Sequence, residues 1–111
     1  MPPRPDFARI ARLAVTGLAA RMQFSYDDVE DIRIGVGEIC NVLLDGSGGP
    51  LVIHCYLKSD EITISATRSQ ADGLFNLSDL SRQILDAVLA DVDVDLAQGR
   101  IDAVKRRTEE P

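Results

Sequence analysis

The chain changes its hydrophobic period at residues 46–50, where Gly-Ser-Gly-Gly-Pro separates a helical stripe from a strand-like alternation. A run of this composition stops a helix and forces the backbone to turn. Upstream, apolar residues recur at spacings of three and four; just downstream they alternate. Those are the side-chain periods of helix and strand. The chain must therefore lay helices against β-structure rather than build a bundle or an all-β sandwich.

Two helices precede the break. The first is expected from an N-cap at Asp6 to about Met22, with Phe7, Ile10, Ala11, Ala14, Gly17 and Leu18 as its apolar stripe. Arg9, Arg12 and Arg21 decorate its rim. The second helix starts from Ser25, and Asp28 follows three positions later, as in a capping box. Asp27, Asp28, Glu30 and Asp31 load its amino end with negative charge, which suits the helix dipole. Its inner face reads Val29, Ile32, Val36, Cys40 and Leu43, widened by Ile39 and Leu44, and it should stop near Leu44 or Asp45.

After the break, residues 51–58 alternate, with Leu51, Ile53, Cys55 and Leu57 on one face. Ser59 and Asp60 turn the chain into a second strand over 61–67, with Ile62, Ile64 and Ala66 inward. Residues 68–76 read as irregular. A third helix is expected over about 78–90, with Leu80, Ile84, Ala87 and Val88 on its stripe. Val92, Val94 and Leu96 alternate with Asp91, Asp93 and Asp95, Gln98-Gly99 turns, and a last strand over 100–105 points Ile101 and Ala103 inward. Its Lys and Arg residues are those of an edge strand guarded against aggregation. The order α α β β α β β predicts an α+β two-layer sandwich, a mostly antiparallel sheet with helices on one face. It forms a single domain over 1–111, with a lead-in at 1–5, a body over 6–107 and a frayed tail at 108–111.

Composition narrows the function. With 45% apolar and 27% charged residues the chain is globular, and no apolar run reaches membrane-spanning length. The stretch from Leu13 to Ala20 is too short and interrupted for a signal peptide. The net charge of −6, from 12 basic against 18 acidic residues, opposes nucleic-acid binding and favours a basic protein partner. Two cysteines and a single histidine, His54, cannot build a disulfide framework or a zinc site. Cys40 and Cys55 read as apolar thiols of a reducing cytoplasm. Asp91, Asp93 and Asp95 read as a wet strand face, since calcium ligands come from a glycine-bearing loop.

Chemistry concentrates in the second helix, YDDVEDIRIGVGEICNVLLD. Glu38 and Asn41 lie three positions apart on nearly one face. A carboxylate and an amide so placed can activate a hydroxyl or hold a metal-bound phosphate; they can equally just solvate a helix end. The acidic cluster Asp27, Asp28, Glu30 and Asp31 is either a capped helix start or a docking surface for a basic helix.

The segment VEDIRIGVGEICNVLL and the order of elements resemble the anti-sigma-factor serine/threonine kinases of bacterial stress and sporulation switches. That family belongs to the Bergerat-fold (GHKL) ATPases, with histidine kinases and gyrase. Its helix reads roughly V-x-D-I-x-L-A-V-x-E-A-x-x-N, and Val29, Asp31, Ile32, Ile34, Val36 and Glu38 match it without gaps. The resemblance extends over roughly residues 5–107.

The resemblance implies ATP and Mg²⁺ as cofactors, a general base at Glu38, and a sigma factor and an anti-anti-sigma factor as partners, with a possible homodimer. It also shows damage. The family's Mg²⁺-holding Asn stands four residues after the Glu, where this chain has Val42; Asn41 is one step early, about 100° around the helix. The adenine-reading Asp-x-Gly-x-Gly is reduced to Asp72-Gly73, several residues late. The glycines that open the closing helix to phosphate are replaced by the stretch from Leu77 to Arg82, which carries Asp79, and the ATP lid is short. The family's first strand, ahead of the first helix, is largely missing.

A regulator follows that sequesters a sigma factor on a degenerate kinase-like frame in the cytoplasm, with no nucleic-acid or membrane partner. The alternative is an active ATP-dependent serine kinase acting on an anti-anti-sigma factor, with Glu38, Asn41, Asp72 and Gly73 as its site. A third reading is an unrelated α+β oligomerisation domain.

Overall fold

A computed structural model describes residues 7–43, 48–70 and 77–108. Its elements are α1 (Phe7–Arg21), α2 (Tyr26–Leu43), β1 (Gly48–Leu57), β2 (Glu61–Gln70), α3 (Asp79–Val88), β3 (Ala90–Asp95) and β4 (Arg100–Arg106). The four strands run β1-β2-β4-β3, and every pairing is antiparallel. The α+β sandwich expected from the element order is therefore present. The strand order follows from two hairpins, β1–β2 and β3–β4, joined along β2 and β4, so that Ile64 stands opposite Ala103 and Ala66 opposite Ile101.

The core lies between this sheet and α2. Ile32, Val36, Ile39 and Leu43 from the helix meet Leu51, Ile62, Ile64, Ala66, Ile101 and Ala103 from the strands. Burying each large aliphatic side chain contributes roughly 1.5–3 kcal/mol. The alternate residues Val52, His54, Tyr56 and Arg106 look outward and are exposed, so the sheet is covered on one face.

Several expectations are corrected. In α1 the buried positions are Ala11, Val15 and Ala19, whereas Ile10, Ala14 and Gly17 are exposed. The stripe is rotated because α1 leans on α2 rather than down on the sheet. In α3 the core residues are Leu85 and, just past the helix, Leu89; Leu80 and Ala87 are exposed. β2 runs on to Gln70 instead of stopping at Thr67. Arg68 is part of that strand and is buried, with its Nη1 donating to the Leu43 carbonyl at 2.7 Å. β4 is an interior strand, not an edge. Residue 108 is not frayed, since the Thr108 N–H and Oγ1 both donate to the Asp28 carboxylate at 2.7 Å. The expected N-cap at Asp6 and the helix end at Leu44 or Asp45 lie outside the described residues.

Both helix junctions have local causes. α1 ends in a Schellman motif: the Phe24 N–H reaches the Ala19 carbonyl, the Gln23 N–H reaches Ala20, and Gln23 takes φ 63°. Ser25 then caps α2, its Oγ accepting from the Asp28 N–H at 3.1 Å. The tightest approach in the helix layer is at Gly35, where a Cβ would lie 2.6 Å from Leu89 Cδ1. Leu89 is itself buried and has no room to swing aside. Gly35→Ala should therefore lower stability by about 1–2 kcal/mol despite the better helix propensity of alanine, read as a lower urea midpoint with an unchanged slope.

Candidate functional site

α2 carries functional candidates at both ends, and its neighbours decide what each can do. Near its carboxyl end Glu38 is half-buried and faces α3. Ser81, in the first turn of α3, donates its hydroxyl to Glu38 Oε1 at 2.5 Å. Ser78 is the N-cap of α3, with φ −73° and ψ 159°, and its Oγ accepts the Ser81 N–H at 3.0 Å. The Ser78 hydroxyl donates in turn to Ser81 Oγ at 3.1 Å. Three side chains thus run from the amino end of α3 to the Glu38 carboxylate. Nothing in the sequence announces the contact across 43 positions.

The other expected site residues do not join them. Asn41 is exposed on α2. Val42 is buried in the core, so the position where the resembling family holds Mg²⁺ is apolar and inward. Asp72 and Gly73 lie outside the described residues. Among the described residues no three of His, Cys, Asp and Glu converge as a metal site. At α3, the Ser81 amide is already taken by the Ser78 side chain, and Asp79 puts a carboxylate in the first turn, which opposes a phosphate there. The described residues therefore do not fit a Mg²⁺–triphosphate group.

At its amino end α2 is tied down instead of presented. Asp28 is only 3% exposed and so is not part of a docking surface. Its carboxylate holds Thr108, and Lys105 lies 3.5 Å from it and 2.8 Å from Asp31. The Arg107 guanidinium donates to the Met22 carbonyl at 3.2 Å. Glu30 pairs with Arg33 at 2.8 Å along the helix. Of the four expected docking carboxylates only Asp27 is both exposed and outside these pairings. Arg68 closes the opposite end by donating to the Leu43 carbonyl, a cation placed on the negative pole of the helix. Both cysteines are free thiols, and burial pushes Cys40 up to about 11. That value makes it an inert core residue.

Burial alone would raise the pKa of Asp28, but the two Thr108 hydrogen bonds and the Lys105 charge outweigh it, leaving the group below its ordinary value. A carboxyl depressed in the folded state stabilises the fold above its unfolded pKa, and that contribution is lost as pH falls through the folded pKa. Thermal melts taken from about pH 6 down to about pH 3 should show the wild type losing stability steeply below the ordinary carboxylate range. Asp28→Asn should be less stable at neutral pH and flatter across the same range.

No protein-family profile matches the chain. Individual proteins do. A serine-protein kinase RsbW of Halalkalibacterium halodurans is 36% identical over 70 residues, which covers 60% of this chain and 43% of that protein. One of Bacillus licheniformis is 29% identical over 89 residues, covering 75% and 54%. One of Bacillus cereus is 31% identical over 80 residues, covering 68% and 50%. The chain is a relative of the RsbW serine-protein kinases. It spans about half the length of the curated relatives it matches. This relationship removes the reading of an unrelated oligomerisation domain, and it agrees with the resemblance carried by the second helix.

No helix among the described residues is long and apolar enough to cross a membrane.

Proposed function

We propose that this protein is an anti-sigma regulator that works by binding a sigma factor in the cytoplasm, on a frame shared with the RsbW serine-protein kinases and without phosphoryl transfer. The observation that carries this reading is the closure between α2 and α3. Ser78 takes the helix amide and Ser81 takes Glu38, so the parts that would meet phosphate and substrate are bonded to each other. Val42 supports it, because the position four residues after Glu38 is apolar and buried. Sequestration needs only a folded surface; release follows when an anti-anti-sigma factor binds the regulator in competition, through the difference in the two affinities. A homodimer is compatible with this scheme.

One observation favours the alternative of an active serine kinase that phosphorylates an anti-anti-sigma factor. A serine hydroxyl donating to a half-buried glutamate is also the pose of a substrate serine on a general base. A melt with and without millimolar Mg-ATP separates the two. A ligand at 100 times its dissociation constant adds about 2.7 kcal/mol of stability. The regulator reading expects no rise in Tm with Mg-ATP and co-purification with a sigma factor that survives Glu38→Ala. A clear rise, abolished in Glu38→Ala, would establish the kinase.

A further inference from the structure

Helix α2 carries two interior glycines, and each makes room for one side chain. Gly35 admits Leu89, which belongs to the core. Gly37 admits Arg12 of α1: a Cβ there would lie 3.3 Å from Arg12 Nη1 and 3.4 Å from its Cδ, and would meet no other side chain within 4 Å. An interior glycine weakens a helix. At position 35 a core contact offsets that weakening; at position 37 the only gain is the placement of one cation. We propose that Arg12, held in the seam between α1 and α2, receives a carboxylate from an acidic segment of a partner protein whose flanking residues are apolar.

Arg12 is the cation that the fold leaves over. Among the described residues every other buried or half-buried cation has an acceptor. Arg68 donates to the Leu43 carbonyl, Arg82 to the Val92 carbonyl and Arg107 to the Met22 carbonyl, while Arg100 pairs with Asp102 and Lys105 with Asp31. Arg12 is half-buried as well, with its guanidinium laid on the α2 backbone at Gly37. No carboxylate, carbonyl or hydroxyl among the described residues accepts from it. A guanidinium carries five donors in a fixed fork, and a partly desolvated fork without an acceptor is a site waiting for one.

The surroundings define what would fit. α1 has no acidic residue over its whole length. On α2, Arg33 and Asn41 stand one turn before and one turn after Gly37 on the same ridge, and both are exposed. The nearby carboxylates of α2 are already engaged, Glu30 by Arg33 at 2.8 Å and Glu38 by Ser81. The seam therefore offers donors and no free acid to meet them. Apolar surface lies beside it on both helices: Leu13, next to Arg12, is 67% exposed, and Ile34, three positions before Gly37, is 40% exposed. A guanidinium fork takes a carboxylate through two parallel hydrogen bonds, and these neighbours would pack the residues on either side of it.

Other occupants fit less well. A second copy docked through the same seam about a two-fold axis would set arginine against arginine with no free carboxylate between them. A phosphate would meet one unneutralised guanidinium, since Arg33 is paired, and the net charge of −6 repels a dianion more than a monoanion. The proposal goes beyond the sigma-factor reading, because it fixes a surface and a chemistry whichever protein supplies the carboxylate.

The test uses two end-capped peptides, Leu-Glu-Leu-Glu-Leu and its neutral twin Leu-Gln-Leu-Gln-Leu, titrated into the isotope-labelled whole chain and followed by NMR. The Glu peptide should shift the Arg12 Nε–H signal and the amides of 33–41 saturably, and the Gln peptide should not. Arg12→Gln should weaken binding of the Glu peptide by about tenfold, the scale of a charge-assisted contact. Gly37→Ala crowds the guanidinium while favouring the helix, so binding should weaken while Tm holds or rises. No saturable shift with the Glu peptide, equal binding of both peptides, or undiminished binding by Arg12→Gln overturns the proposal. So does a self-associated species at the titration concentration that Arg12→Gln disperses, which would make the occupant a second copy. Inorganic phosphate that displaces the Glu peptide at lower concentration than acetate does would make the ligand a phosphate and overturn it likewise. α1 and α3 lie on opposite flanks of α2, so either result leaves the Mg-ATP and sigma-factor experiments standing on their own.

Discussion

Everything in this protein is organised around α2, an 18-residue helix laid over a sheet that is covered on one side only. Its inner face supplies Ile32, Val36, Ile39, Cys40 and Leu43, all without solvent exposure, and no other element offers a comparable apolar surface. A helix so committed needs both ends satisfied, because its terminal amides and carbonyls have no partners of their own. Ser25 caps the start, and Arg68 reaches from β2 to the last turn. The flanking helices then take whatever surface α2 leaves. Gly35 allows Leu89 to approach on one side, and Arg12 lies over Gly37 on the other.

This arrangement sorts the charged residues into roles that their sequence positions do not announce. Asp28 and Asp31 sit in an acidic run and look like surface charges, yet the end of β4 brings Lys105 and Thr108 onto them. A buried carboxylate is tolerated only when its lone pairs are used, and here hydrogen bonds and a cation use them. Glu38 has the opposite history. It stands half-buried near the carboxyl end of α2, and α3 delivers a serine to it. The same layer of helices that makes the core thus brings Ser81 onto Glu38.

Much of the fold was legible because period and punctuation agreed. The change of period at 46–50, the Ser59-Asp60 and Gln98-Gly99 turns, and the inward sets Ile62, Ile64, Ala66 and Ile101, Ala103 all appear in place or nearly so. α1 misled because FARIARLAVTGLAAR is apolar on most of its circumference, so several stripes fit equally and only packing on α2 selects Ala11, Val15 and Ala19. α3 misled in the same way, with Leu80 read inward and Leu85 missed. Arg68 ended β2 too early, because an arginine at a strand end reads as solvent-facing unless a carbonyl awaits it inside the fold. Of the candidate site, Glu38 was legible as a carboxylate on an otherwise apolar helix, while its partner Ser81 and the Thr108 and Lys105 contacts to Asp28 were not, since each acts across a long stretch of chain.

What this sequence determined unaided is the local and the periodic: which segments are helix and which are strand, which alternate residues of each strand face inward, and that the layers form an α+β sandwich. Those outcomes depend on neighbours a few residues apart, whose spacing the chain itself carries. Only the tertiary structure decided which side of α1 and α3 is buried, that β4 lies inside the sheet, that Asp28 is a latch, and that Glu38 holds Ser81. Each of these depends on groups that are distant along the chain and meet only when the core closes, and no period or composition encodes such a meeting.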